Sequence, residues 1–253
     1  MVSGQLYRKD MNDLPPSDYF HFGLFKSKDC YIRYSELNHQ LLALDKERLL
    51  VFNLFTKKIV LNDKHGIKTK IADFRIYGEK EDCLMILTGT GKIYSLRYGG
   101  FKLIENKIIG EGKKKYLGYC LSISGDNRYV CLSLKDKSFP YSKQSMFMVL
   151  EISKKGLRKL ATCQIERRNP NVFSDLCFLK QVKSFYFFVG FSRDMHTDIY
   201  IALYNSQEES LKELGQLRCR SGQAHPIRVQ KVGSVIYMIG RSLKLNTFSI
   251  SGL

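Results

Sequence analysis

No run of apolar residues in this sequence approaches the ~20 needed to span a bilayer as a helix. The polar opening, residues 1–18 with Pro15-Pro16, lacks the apolar stretch of a secretory leader, and no Asn-x-Ser/Thr acceptor occurs. The seven cysteines include no Cys-x-x-Cys pair and no close Cys/His cluster, which argues against a metal site. Cys83, Cys120, Cys131 and Cys177 each sit inside an apolar run and read as buried, reduced thiols. That usage points to an intracellular compartment, nuclear or cytoplasmic. The histidines, His21, His39, His65, His196 and His225, are scattered without metal-ligand spacing. Neither a Gly-x-Ser-x-Gly elbow nor a phosphate loop is present, and the glycines of Thr88-Gly89-Thr90-Gly91-Lys92 read as a hairpin turn. The expectation is therefore a protein without catalysis, cofactor, metal or small-molecule substrate.

Acidic residues are scarce too, 24 Asp and Glu against 41 Lys and Arg, for a formal charge of +17. The excess predicts an anionic partner and says nothing about fold. With 44% hydrophobic and 12% aromatic residues the chain can bury one large core.

Helical spacing is nearly missing. Short apolar, β-branched and aromatic runs recur instead, separated by Gly, Asn, Asp, Ser and Lys. They fall into groups of four: 30–35, 39–45, 48–55 and 57–63; 71–78, 82–89, 91–98 and 101–108; 117–124, 128–134, 145–153 and 157–165; 174–182, 184–191, 197–205 and 210–217. A last group, 225–232, 234–240 and 242–250, stops one short. The step of roughly 40–55 residues lies in the range of propeller blades. A four-stranded sheet cannot bury both faces alone, and radial stacking buries them. Leu84, Ile86, Val130, Leu132, Phe187 and Val189, on second strands, are expected to point between blades.

After an apolar strand, the third group reads Ser124-Gly125-Asp126-Asn127-Arg128-Tyr129-Val130. This is similar to the Ser-x-Asp-Gly-x-Tyr-Val/Leu turn between the first two strands of a blade in the WD40-like β-propeller superfamily. The chain resembles that superfamily in strand rhythm over residues 19–253 and in this turn, while tryptophan, and with it any Trp-Asp dipeptide, is absent, as is a Gly-His pair before a blade. The resemblance implies an all-β fold, a β-propeller of about five four-stranded antiparallel blades. Residues 1–18 would form a polar arm and 19–253 a single domain. Residues 19–25, Tyr-Phe-His-Phe-Gly-Leu-Phe, alternate well enough to lend the last blade its missing strand. The other arrangement is one part of a longer propeller.

In a propeller the blade-to-blade connections and the second-to-third-strand turns emerge on one face. The connections here are residues 62–70, 110–116, 166–172 and 218–228, each net positive. They carry Lys64, Lys68 and Lys70; Lys113, Lys114, Lys115 and Tyr116; Arg167 and Arg168; Arg218, Arg220 and Arg228. The long turn of the third blade adds Phe139 and Tyr141 among lysines. Cations displace condensed counterions from phosphates and aromatic planes stack on bases, so these residues are candidates for nucleic-acid binding. The turns of the opposite face are neutral or acidic, apart from Lys154-Lys155. The expected function is a scaffold subunit of a nucleic-acid-associated complex, with protein partners. The alternative is a propeller whose basic face docks acidic protein segments without nucleic-acid contact. A lipid-reading propeller ranks last, since Arg167-Arg168 is followed by Asn169-Pro170 rather than by Gly.

Overall fold

The computed structural model describes residues 30–100, 102–106, 108–109, 116–136, 145–165, 173–192, 197–219, 226–232, 235–240 and 245–249. The chain divides into two compact units, Met1–Lys68 and Thr69–Leu253. Every strand expected between residues 30 and 250 is present within three residues of its expected ends, and one more is added, while residues 19–25, expected as a closing strand, lie outside the described residues.

The first unit is one antiparallel meander: β1 (Tyr31–Ser35), β2 (Gln40–Leu44), β3 (Arg48–Asn53) and β4 (Lys58–Lys64). The consecutive apolar residues of β2 and β3 are buried on both faces, Leu41, Ala43, Leu50 and Phe52 forming one cluster. Asp45 closes the turn between them, its Oδ1 accepting from the N–H groups of Glu47 and Arg48 at 2.7 Å each. In contrast, β4 is exposed along nearly its whole length.

The second unit holds four sheets. The first comprises β5 (Ile71–Tyr77), β6 (Cys83–Thr88), β7 (Ile93–Arg97) and β8 (Lys102–Asn106). The next comprises β10 (Tyr116–Ile123), β11 (Tyr129–Asp136), β12 (Ser145–Ser153) and β13 (Gly156–Ile165). It also gains an unanticipated edge strand, β9 (Ile108–Ile109), which runs parallel to β13. Then come β14 (Phe173–Val182), β15 (Phe185–Ser192), β16 (Thr197–Asn205) and β17 (Ser210–Cys219). The last sheet has three strands, β18 (Pro226–Val232), β19 (Val235–Gly240) and β20 (Leu245–Ser249).

Neighbouring sheets of this unit meet through their first strands, in the order β5, β10, β14, β18, which is a propeller-like arrangement. The side-chain period of two divides each middle strand between two interfaces. Val130, Leu132 and Leu134 of β11 join Met146, Met148 and Leu150 of β12 against Met85 and Leu87. Their odd-numbered neighbours, Tyr129, Cys131, Phe147 and Val149, pack on the other side with Leu176, Tyr186 and Phe188. A strand buried on both faces reads as a continuous apolar run, which is why these sequences do not alternate. Leu84, Ile86, Val130, Leu132 and Val189 are buried as expected. Phe187 is only half-buried, with the Lys180 ammonium 5.7 Å from its ring centre.

Each first strand of the second unit carries an irregularity at the same place, between Ile71 and Asp73, Gly118 and Cys120, Phe173 and Asp175, and Pro226 and Arg228. A bulge bends the strand and re-aims the residue that follows it. Asp73, Cys120, Asp175 and Arg228 thus hold equivalent register positions.

Candidate functional site

Contacts between neighbouring sheets fix the end from which each turn leaves. The Gly78 N–H, just past β5, donates to Asn127 Oδ1 in the β10–β11 turn at 3.2 Å. The Tyr186 hydroxyl, at the start of β15, donates to Asp126 Oδ2 in the same turn at 2.8 Å. Arg158, near the start of β13, pairs with Glu209 of the β16–β17 turn at 2.8 Å. First-to-second and third-to-fourth turns of these three sheets therefore share one end. At the other end the Gly89 N–H of the β6–β7 turn donates to Lys70 O at 2.8 Å, and the Gly118 N–H donates to Gly89 O at 3.4 Å. Second-to-third turns and sheet-to-sheet connections leave there.

Among the candidate cations, Lys64, Lys68 and Lys70 are exposed. Lys64 closes β4, Arg218 lies in β17 and Arg228 in β18, so these three belong to strands rather than to connections. Tyr116 needs correction as a base-stacking residue. It opens β10, is 5% exposed, and packs in the apolar cluster with Leu87, Ile93 and Leu134. Gly91 backs onto it so closely that a Cβ there would lie 2.8 Å from Tyr116 O. Lys113, Lys114, Lys115, Phe139, Tyr141, Arg167, Arg168 and Arg220 lie outside the described residues.

The Ser124-x-Asp126 turn is a three-sheet bracket. Ser124 Oγ donates to Asp126 Oδ1 at 2.6 Å and accepts from the Tyr129 N–H at 2.9 Å. Asn127 takes a φ of 58°, tolerable for Asn, and so brings its amide oxygen to Gly78. Together with the Tyr186 bond, this one turn ties the sheet of β5, its own sheet and the sheet of β15.

A charged cluster lies between the first strands. Asp73 and Asp175 are fully buried, and Arg75 retains 17% of its side-chain surface. Arg75 Nη2 donates to Asp175 Oδ1 at 2.5 Å and to Leu176 O at 2.9 Å, with Asp73 Oδ2 at 3.5 Å. Asp73 accepts from the Phe74 N–H of its own strand at 2.9 Å and from the Leu121 N–H of β10 at 3.1 Å. Burial would lower the Arg75 pKa, but the facing carboxylates Asp73 and Asp175 outweigh it and raise it, so the guanidinium stays charged. The cluster joins β5, β10 and β14. Apolar periodicity does not reveal it; the signal is an Asp at the same place in Ile71-Ala72-Asp73 and Phe173-Ser174-Asp175.

His65 is structural. It is 2% exposed, its Nε2 bonds Asp45 O at 3.0 Å, and its Nδ1 accepts from the Ile67 N–H at 3.1 Å. Burial lowers its pKa, consistent with a neutral ring. Burial likewise pushes the thiols of Cys30, to about 12, and of Cys120 and Cys131 up, so they stay protonated. Cys120, Cys131 and Cys177 are buried, whereas Cys83 is only partly so.

Among the described residues no helix is long and apolar enough to cross a membrane. No protein-family model matches the chain, and no curated protein matches it significantly.

Proposed function

We propose that the chain is a non-catalytic β-propeller scaffold of about five blades that contacts RNA or DNA through the end carrying its sheet-to-sheet connections. The observation that supports this most is the sorting of turns by end in the second unit. The segments flanked by strand ends at the connection side are 89–92, 110–115, 137–144, 166–172, 193–196, 220–225 and 241–244. All are net positive except 193–196, which is neutral. The turns at the other side carry Glu79, Glu81, Asp82, Asp126, Glu208 and Glu209 against Lys80, Arg128, Lys154, Lys155 and Lys183, close to neutral. Clustered cations of one sign favour a polyanion by counterion release, and the near-neutral end lacks that excess. Closure of the three-stranded last sheet by residues 19–25, which lie outside the described residues, is part of the same proposal. Docking of acidic protein segments on the same basic end is the second reading, since the charge argument serves both.

Charge reversal decides between them. Replacing Lys113, Lys114 and Lys115 by Glu should weaken binding to oligonucleotides of any sequence. Each lost phosphate contact should flatten the salt dependence by about 0.7 on a single strand or about 0.9 on a duplex. Reversing the exposed Lys154, Lys155 and Lys183, at the other end, is the control. Equal effects from both sets, or no binding by wild type at low salt, would overturn the proposal.

A further inference from the structure

We infer that Phe55, in the β3–β4 turn of the first unit, is a stacking platform for an unpaired base, with Lys57 and Lys58 beside it for the flanking phosphates. The inference rests on the reading that the chain binds nucleic acid, but on residues that reading does not use. Phe55 is 74% exposed, the most of any large hydrophobic side chain among the described residues. β3 buries Leu49, Leu50, Val51 and Phe52, whereas Phe55 and, after it, Ile59 and Val60 of β4 lie open to solvent.

The turn that carries the ring is tied down by hydrogen bonds. Asn53 Oδ1 accepts from the Phe55 N–H at 3.0 Å, the Thr56 N–H at 2.9 Å and the Thr56 hydroxyl at 3.2 Å. The Leu54 N–H donates to His39 O at 3.0 Å, fastening the turn to its neighbour. The His39 ring meets Phe55 edge-on, 4.5 Å between centres at 64°, and the Tyr34 hydroxyl bonds His39 Nδ1 at 3.1 Å. One side of Phe55 is thereby supported while its exposure leaves room for a partner. A turn ordered in advance loses little entropy when a base settles on it.

Charge argues for a nucleotide over an apolar protein pocket. Lys57, at a φ of 53°, and Lys58 are both exposed and form no ion pair among the described residues. Glu36, in the β1–β2 turn, is exposed and pairs with neither. A π-face beside two uncompensated cations matches a base and its phosphates, which bind single strands through stacking plus counterion release.

The test uses the full chain and single-stranded oligomers of about 12 nucleotides carrying one 2-aminopurine, a base whose fluorescence reports stacking. Phe55→Ala should weaken binding by roughly 5- to 150-fold and abolish part of the fluorescence change, with an unaltered salt slope. Phe55→Trp should restore both. Lys57→Gln and Lys58→Gln should each flatten the salt slope by about 0.7 and leave the fluorescence change largely intact. Phe55→Ala should melt like wild type, because so exposed a ring contributes little to folding. If wild type binds the oligomers and Phe55→Ala binds them equally with the same fluorescence change, the inference is overturned while the basic-end proposal stands. If wild type binds no oligomer at low salt, both fall. A peptide of Leu, Phe and Glu that binds wild type in place of the oligomer and loses affinity in Phe55→Ala would reassign the ring to a protein contact.

Discussion

Replacing Arg75 by Met tests the idea that the second unit is locked by charge at its first strands. The guanidinium joins Asp73 of β5 to Asp175 and Leu176 O of β14. Methionine fills much of the same volume but leaves two fully buried carboxylates without their cation. Removing one partner of a buried pair typically costs ~3–5 kcal/mol, because the remaining charge is stranded. The lower part of that range applies, since Asp73 keeps the N–H groups of Phe74 and Leu121, and Asp175 keeps that of Leu176. A loss of about 3 kcal/mol follows, read as a shift in the urea midpoint at unchanged m-value. Hydrogen exchange at Leu121 and Leu176 gives a local check, as both amides are bonded to the cluster. Pairing Arg75→Met with Asp175→Asn should recover part of the loss, because the stranded charge is then absent. A loss under about 1 kcal/mol for Arg75→Met would refute the reasoning and make the cluster incidental.

Two further outcomes can be measured in the same way. Gly118→Ala should destabilise by about 1–3 kcal/mol or more, because a Cβ there would lie 2.4 Å from Thr88 O, a backbone atom that no rotamer change can move; an unchanged urea midpoint would mean β10 and β6 are not so closely apposed. His65, whose pKa burial depresses, binds its proton more readily in the unfolded chain, so stability should fall as the pH drops below about 6.5, by at most ~1.4 kcal/mol per pH unit. His65→Gln should remove that slope between pH 7 and pH 5, and parallel curves for the two proteins would reject the assignment.

The bracket at Ser124 and the Asp73–Arg75–Asp175 cluster tie three sheets of the second unit in one orientation. Apolar packing between sheets is broad but non-directional. The polar contacts at the turn end and at the first strands have defined geometry, and they set which sheet ends coincide. That coincidence sets which turns share an end, and this is the link from packing to the proposed function.

The four-strand meander of each full sheet and the two-sided burial of the middle strands were determined by the sequence alone. Local rules suffice there: short β-branched and aromatic runs bounded by turn residues pair with their neighbours, and a run such as Cys131-Leu132-Ser133-Leu134 is apolar because both its faces are covered. Even the Ser124–Asp126 turn was legible, since its hydrogen bonds span only a few residues. Tertiary structure decided what distant segments do to one another. It buried Tyr116, which loop-like surroundings had marked as exposed, and left Phe55 in water at the end of an apolar strand. It brought Arg75 to Asp175, a hundred residues away, and laid Ile108 and Ile109 along the edge of β13. None of these follows from periodicity, because burial and charge pairing depend on which sheet becomes the neighbour, and that depends on packing across the whole unit.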